Sequence, residues 1–97
     1  MRRIELSPEA ADDILGIWDY IARSNLPAAD RIRDKFHDHI QTLAQMPGMG
    51  HTRTDVRDTQ YRFWTVKPYV IAYRHDASTL IVVRVVHGAR DFRKLFR

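Results

Sequence analysis

Residues 79–87 read Thr79-Leu80-Ile81-Val82-Val83-Arg84-Val85-Val86-His87, an almost unbroken apolar run dominated by β-branched side chains. A strand with one face in water alternates polar and apolar positions, and this one does not. It is therefore predicted to be a central strand covered on at least one face. Just upstream, Tyr61 to Val66 and Tyr69 to Arg74 are again β-branched and aromatic, set apart by Lys67-Pro68 and by His75-Asp76-Ala77-Ser78. Short connections between such runs predict a three-strand antiparallel meander. Downstream, Gly88 ends the run. Ala89 to Arg97 then predicts a short tail helix with Phe92, Leu95 and Phe96 inward and Arg90, Arg93, Lys94 and Arg97 outward.

The N-terminal half has a different period. Arg3 to Leu6 is a short strand candidate that stops at Ser7-Pro8, a capping residue followed by a proline suited to a first helical turn. Ala11, Ile14, Trp18 and Ile21 recur at spacings of three and four, which predicts an amphipathic helix to about residue 23 with Glu9, Asp12 and Asp13 near its positive end. Ser24-Asn25-Leu26-Pro27 breaks that pattern. A second stripe of Ala29, Ile32, Phe36, Ile40, Leu43 and Ala44 runs until Pro47-Gly48. From Met46 to Gln60 the periodicity vanishes, and connections of that length tend to be functional.

The expected order is β-α-α-β-β-β-α, an α+β fold. Two antiparallel helices pack on one face of a small, mostly antiparallel sheet, with the N-terminal strand beside the last long one. Ninety-seven residues suffice for one domain with a single modest core.

Composition narrows the functional classes. With 44% apolar and 29% charged residues the chain has globular composition, and it has no cysteine for a disulfide or a thiolate metal site. No run approaches the roughly 18 apolar residues of a membrane span, so a cytoplasmic protein is expected. Residues 1–50 hold six Lys/Arg against eight Asp/Glu and carry −2, whereas residues 51–97 hold ten against four and carry +6. The second half is thus a surface for an anion, either nucleic acid or an acidic protein segment.

Four segments, in order, resemble the ParE/RelE toxin superfamily: Leu6-Ser7-Pro8-Glu9-Ala10-Ala11-Asp12-Asp13-Ile14 leading to Ile17-Trp18-Asp19-Tyr20-Ile21; Ala28-Ala29-Asp30-Arg31-Ile32; Leu43-Ala44-Gln45-Met46-Pro47-Gly48-Met49-Gly50; and Arg84-Val85-Val86-His87-Gly88-Ala89-Arg90-Asp91. Arg62 and Tyr69-Val70-Ile71-Ala72-Tyr73-Arg74 supply the middle strands. The match covers essentially the whole chain, and the His-Gly-Ala-Arg-Asp ending favours the ParE branch. This resemblance implies the toxin of a type II toxin–antitoxin system, one that inhibits DNA gyrase, arrests growth and is neutralised by a ParD-like antitoxin. The alternatives are a ribosome-dependent mRNA endoribonuclease of RelE type and a general nucleic-acid-binding module.

An RNase of that type needs charge stabilisation at phosphorus together with an acid and a base. Arg62, His87 and Arg90 are the candidates, and His51 and Arg53 stand where RelE-like enzymes place lysines. Such enzymes often carry a tail tyrosine where this chain has Phe92 and Phe96, so a non-catalytic poison is favoured. The residues expected to bind the target are Arg53, Arg62, Trp64, His87, Arg90 and Arg93. Each has a structural reading too: His87 can simply end a strand, Arg62 can pair with an acid in the sheet, and the tail arginines can be a solvated helix face. Trp64 shares the strand face of Arg62, so both meet the edge of the core or both meet a partner.

For the antitoxin, an acidic amphipathic C-terminal segment is expected to lie along Ile17, Trp18, Ile21, Phe36 and Ile40 or their exposed edges, and to place carboxylates on Arg62, Arg84 or Arg90. Trp18 and Phe36 also follow the helical stripes as core residues. His37 and His39, two apart on a helix, face different directions and predict no metal site. No cofactor is expected.

Overall fold

The computed structural model describes residues 1–96. Arg97, expected on the outer face of the tail, lies outside them. The chain forms β1 (Arg3–Leu6), α1 (Pro8–Ala22), α2 (Leu26–Gln45), a 3-10 turn (Pro47–Met49), β2 (Arg62–Val66), β3 (Tyr69–His75), β4 (Thr79–His87) and α3 (Phe92–Leu95). The sheet order is β1-β4-β3-β2, with β1 parallel to β4 and the other pairs antiparallel. The fold is therefore the expected α+β order, with the N-terminal strand beside the long last one.

Both helices are capped where the sequence places a cap. Ser7 Oγ accepts from the Ala10 N–H at 2.9 Å, and Asn25 Oδ1 accepts from the Ala28 N–H at 3.0 Å. Ala10, Phe36, Ile40, Leu43 and Ala44 pack with Ile71, Tyr73, Leu80, Val82 and Val85 on one side of the sheet. On α1 the buried small residue is Ala10, and Ala11 is exposed. Spacings of three and four allow either alanine to share a face with Ile14 and Ile21, which is why periodicity alone selected the wrong one.

The opposite side of the sheet is covered too. Val56 from the long connection and Phe92 and Phe96 from the tail pack on Phe63, Val70, Ala72 and Val86. Hence β3 and β4 are apolar on both faces. The tail helix is shorter than expected and begins only after Asp91, whose Oδ1 accepts from the Arg93 N–H at 3.1 Å and the Lys94 N–H at 3.4 Å.

A β-bulge lies at the middle of β4. The register steps from Ala72↔Arg84 to Tyr73↔Val82, so Val83 is an extra residue, and the β1 ladder stops just there at Leu6↔Val82. Side chains of the α1 region take over the backbone groups beyond it. Ser7 Oγ donates to the Val83 carbonyl at 2.7 Å, and Asp13 Oδ2 accepts from the Val85 N–H at 2.9 Å. The same carboxylate holds Arg84 in a two-point pair at 2.7 and 3.0 Å, which favours the charged guanidinium further.

Removing Asp13 strands a backbone donor and a guanidinium, each mostly shielded from water. Asp13→Ala should therefore lower stability by about 2–3 kcal/mol, while Asp12→Ala, on the exposed side of the same turn, should stay within about 0.5 kcal/mol. Urea denaturation of the two variants distinguishes these outcomes.

Candidate functional site

The long connection is pinned to the sheet by one buried hydroxyl. Tyr73, with no exposed surface, donates through its hydroxyl to the Pro47 carbonyl and accepts from the Gly50 N–H at 2.9 Å. A Cβ on Gly50 would lie 2.2 Å from that oxygen, so only glycine fits. Burial pushes the Tyr73 pKa upward, keeping the hydroxyl protonated as a donor. Arg62 Nη1 then donates to the Gly50 carbonyl at 2.8 Å, and His51 forms a two-bond bridge with Phe63.

From that anchor the connection runs over the face opposite the helices and carries Arg53 onto the tail. The Arg53 guanidinium sits 3.9 Å from the centroid of the Phe92 ring and pairs twice with Asp55, at 2.9 Å for each bond. The pairing raises the Arg53 pKa and lowers that of Asp55. Beside Arg53 is a basin of about 620 Å³ lined by Thr65, Lys67, Pro68, His87 and the Gly88–Ala89 turn. His87 Nδ1 accepts from the Ala89 N–H at 3.0 Å, so Nε2 bears the proton of the neutral ring. Arg90 is exposed just beyond this turn, and Arg93 lines a smaller hollow with Arg57 and Phe96. The structure thus brings Arg53, His87 and Arg90 to one end of the sheet and adds Lys67, which sequence reasoning did not single out.

Arg62 is elsewhere. It pairs in register with Tyr73, whereas His87 pairs with Tyr69. Four strand steps, about 13 Å, separate these two levels of the sheet. Arg62 instead lines a pocket of about 420 Å³ with Thr59, Gln60, Arg74, His75 and Asp76. Trp64, on the same face of β2, is half-buried against the helical core and donates through Nε1 to His39 Nδ1 at 3.0 Å.

The helix-side residues are also distributed unequally. Phe36 and Ile40 are 1% and 6% exposed and belong to the core, while Ile17, Trp18 and Ile21 are half-buried. The Trp18 indole donates to Asp30 at 3.0 Å across the helix pair. An apolar groove of about 400 Å³ opens beside β1, where Ile4, Leu6 and Ile14 meet the edges of Phe36 and Ile40. Arg84 is held by Asp13 and is not a free cation. Among the described residues, no three His, Asp or Glu side chains gather as a metal site, and no helix is long and apolar enough to cross a membrane.

Residues 4–92 match the family model described as ParE toxin of the type II toxin–antitoxin system, parDE. Toxin RelE3 of Caulobacter vibrioides is 25% identical over 88 residues, covering 91% of this chain and 96% of that protein. Among solved structures, the chromosomal ParDE system from P. aeruginosa aligns with a TM-score of 0.74 at 19% identity, over 90% of this chain and 96% of that one. The E. coli DinJ–YafQ complex aligns with a TM-score of 0.57 at 18% identity, over 92% of this chain and 96% of that one.

Two measurements test this geometry. Tyr73→Phe leaves the Gly50 N–H and the Pro47 carbonyl without their partner and should cost about 1–3 kcal/mol in urea denaturation. Phenylalanine keeps the ring packing, so an unchanged midpoint would mean that the hydroxyl does not anchor the connection. His75 should titrate below the ordinary histidine value of 6.5, because burial and then the charges of Arg2 and Arg62 disfavour its protonated form, against a smaller opposing effect of Asp76. Its contribution to stability is therefore present above pH 6.5 and is lost as pH falls through the lower folded value. Arg2→Gln should move the titration of the His75 ring, followed by NMR, back upward.

Proposed function

Because the chain belongs to the ParE toxin family of type II toxin–antitoxin systems, we propose that it arrests growth by binding and inhibiting DNA gyrase, not by cutting RNA. The observation that carries this reading is the separation of Arg62 from His87 and Arg90. Cleavage of an RNA chain needs charge stabilisation and proton transfer at one phosphate, within hydrogen-bond reach of each group. Arg62 and His87, about 13 Å apart in strand register, do not serve one phosphate, and at the His87 end the Arg53 guanidinium is already paired with Asp55. The two tail phenylalanines lie in the second core and exchange no protons.

A binding poison has a looser requirement. Lys67, Arg90 and Arg93 offer cations around a broad basin that His87 and the Asp55-paired Arg53 also line, suited to many modest contacts with a large target. The 97-residue chain acts in this reading as one domain in the cytoplasm. The ribosome-dependent RNase remains the second reading, and it draws on Arg62 and His75 lining a common pocket.

A type II toxin has an antitoxin partner. We infer that a ParD-like antitoxin presents an acidic, amphipathic C-terminal segment. Its apolar side would enter the groove beside β1, and its carboxylates would meet Arg62 or Arg90. Arg84 is already neutralised within the chain.

The deciding experiment compares the purified toxin in gyrase supercoiling and DNA-cleavage assays with a translation-dependent RNA-cleavage assay. Inhibition of gyrase with intact mRNA is expected. Arg90→Ala should weaken that inhibition by about tenfold, the size of one lost charged contact of about 1.4 kcal/mol. Arg23→Ala, at a site paired with Asp19 on α1, should change nothing. Cleaved mRNA with unaffected gyrase would replace this reading with the RNase.

A further inference from the structure

The pocket at the Arg62 end of the sheet has a composition that inhibition through the opposite rim does not use. The β3–β4 hairpin brings Arg74 and His75 to the level where β2 begins, because Arg74 pairs with Ile81 and Arg62 pairs with Tyr73. Arg62 is oriented by its bond to the Gly50 carbonyl, which occupies one of its five N–H donors. Arg74 lies 5.9 Å from the Tyr61 ring centroid. Among the described residues, no carboxylate approaches Arg62 or Arg74 within 4.0 Å.

The one acid lining the pocket is already engaged. Asp76 Oδ1 accepts from the Ser78 and Thr79 N–H groups, both at 2.8 Å, and from the Ser78 hydroxyl at 3.2 Å, so its carboxylate closes the hairpin. Arg2 donates through Nε to the Asp76 backbone carbonyl at 2.6 Å and brings a third guanidinium close by. The pocket and its rim thus hold three guanidinium groups against one carboxylate. Burial, and then the charges of Arg2 and Arg62, depress the His75 pKa against a smaller opposing effect of Asp76.

We propose that Arg62, Arg74 and His75 form an anion site for a phosphate group of a nucleic-acid strand. The donors are spread around the pocket: two guanidiniums, an imidazole, the Thr59 hydroxyl and the Gln60 amide line a space of about 420 Å³. A carboxylate is planar and is satisfied by a single guanidinium fork. A tetrahedral phosphate offers acceptor oxygens in several directions, and the volume accommodates its attached sugar. The neutral His75 ring can donate one hydrogen bond, and a bound phosphate anion would favour its protonated form, giving the site a spectroscopic reporter. This inference rests on the toxin reading only for nucleic acid as the source of the phosphate.

Binding is measured on the full chain without gyrase or ribosome, so the site and the target assignment can fail separately. The His75 ring and the Arg74 Nε–H are followed by NMR during titration with thymidine 5′-monophosphate, a short single-stranded oligodeoxynucleotide and succinate. Saturable shifts with the first two ligands, and an upward move of the His75 titration, are expected. Arg74→Gln should weaken both by about tenfold. Arg74 is exposed and accepts this change without disturbing the core, and His75→Gln is a second test, expected to weaken binding of both ligands. Arg31→Gln, on the exposed face of α2, should have no effect. Absence of saturation overturns the site, and oligonucleotide affinity unchanged by Arg74→Gln overturns its nucleic-acid source. Succinate bound as tightly as the nucleotide would mean that the pocket takes carboxylates of an acidic protein segment instead.

Discussion

Where β1 ends, β4 continues for five more residues with its outer edge unpaired by any strand. An exposed run of this kind is a template for wrong pairing, and buried backbone groups along it cost free energy if left unsatisfied. The Asp13 carboxylate meets both demands, because it accepts from the Val85 N–H and clamps the Arg84 side chain. Ser7 does the same for Val83 while also capping α1. The bulge, the end of the parallel ladder and the seating of the first helix are thus one constraint. A helix held on its inner face by Ala10, Ile14 and Ile17 could slide along apolar neighbours. Two directional hydrogen-bonding side chains fix its register against the sheet.

The same economy governs the other face of the sheet. Phe63, Val70, Ala72 and Val86 would be exposed there without the long connection and the tail. Phe92 and Phe96 stack at 6.0 Å and meet Phe63 edge-on, while Arg53 lies over Phe92 with its charge matched by Asp55. Covering the face in this way leaves exposed cations at both of its ends. The +6 of the second half is consequently not one patch, since Arg53 and Arg84 are matched internally, Lys67 lies at the His87 level, and Arg62 and Arg74 lie at the other end.

Much of this was readable from local pattern. Strand and helix periods, the Ser7 and Asn25 caps and the Pro47-Gly48 stop concern residues within a few positions of one another, where sequence spacing maps directly onto geometry. The choice between Ala10 and Ala11 was not readable, because both fit the same stripe. Nor was the fate of Arg84: its partner Asp13 is 71 positions away and looks like an ordinary acid at a helix start. The separation of Arg62 from His87 did leave a trace. A tight connection at Lys67-Pro68 between antiparallel strands places Val66 beside Tyr69 and sends Arg62 to the far end. Counting residues back from that turn gives the separation before any coordinates are known.

That division of charge constrains whatever the basic half meets. A compact anion can engage one end only, with the affinity of a few exposed charged contacts. An extended polyanion can engage both, because about 13 Å along β3 corresponds to roughly four nucleotide steps of 3.4 Å on a duplex strand. An extended peptide covers the same span in about four residues. Nucleic acid and an acidic antitoxin segment can therefore compete for the same two ends without sharing any detailed contact. The peptide has a further option that a phosphate backbone lacks, the apolar groove where Leu6 and Ile14 meet the core edge. Burial there adds a stabilisation that salt does not screen. For a protein whose charged contacts are individually weak, that salt-independent term is what would let a peptide partner prevail over a polyanion at physiological ionic strength.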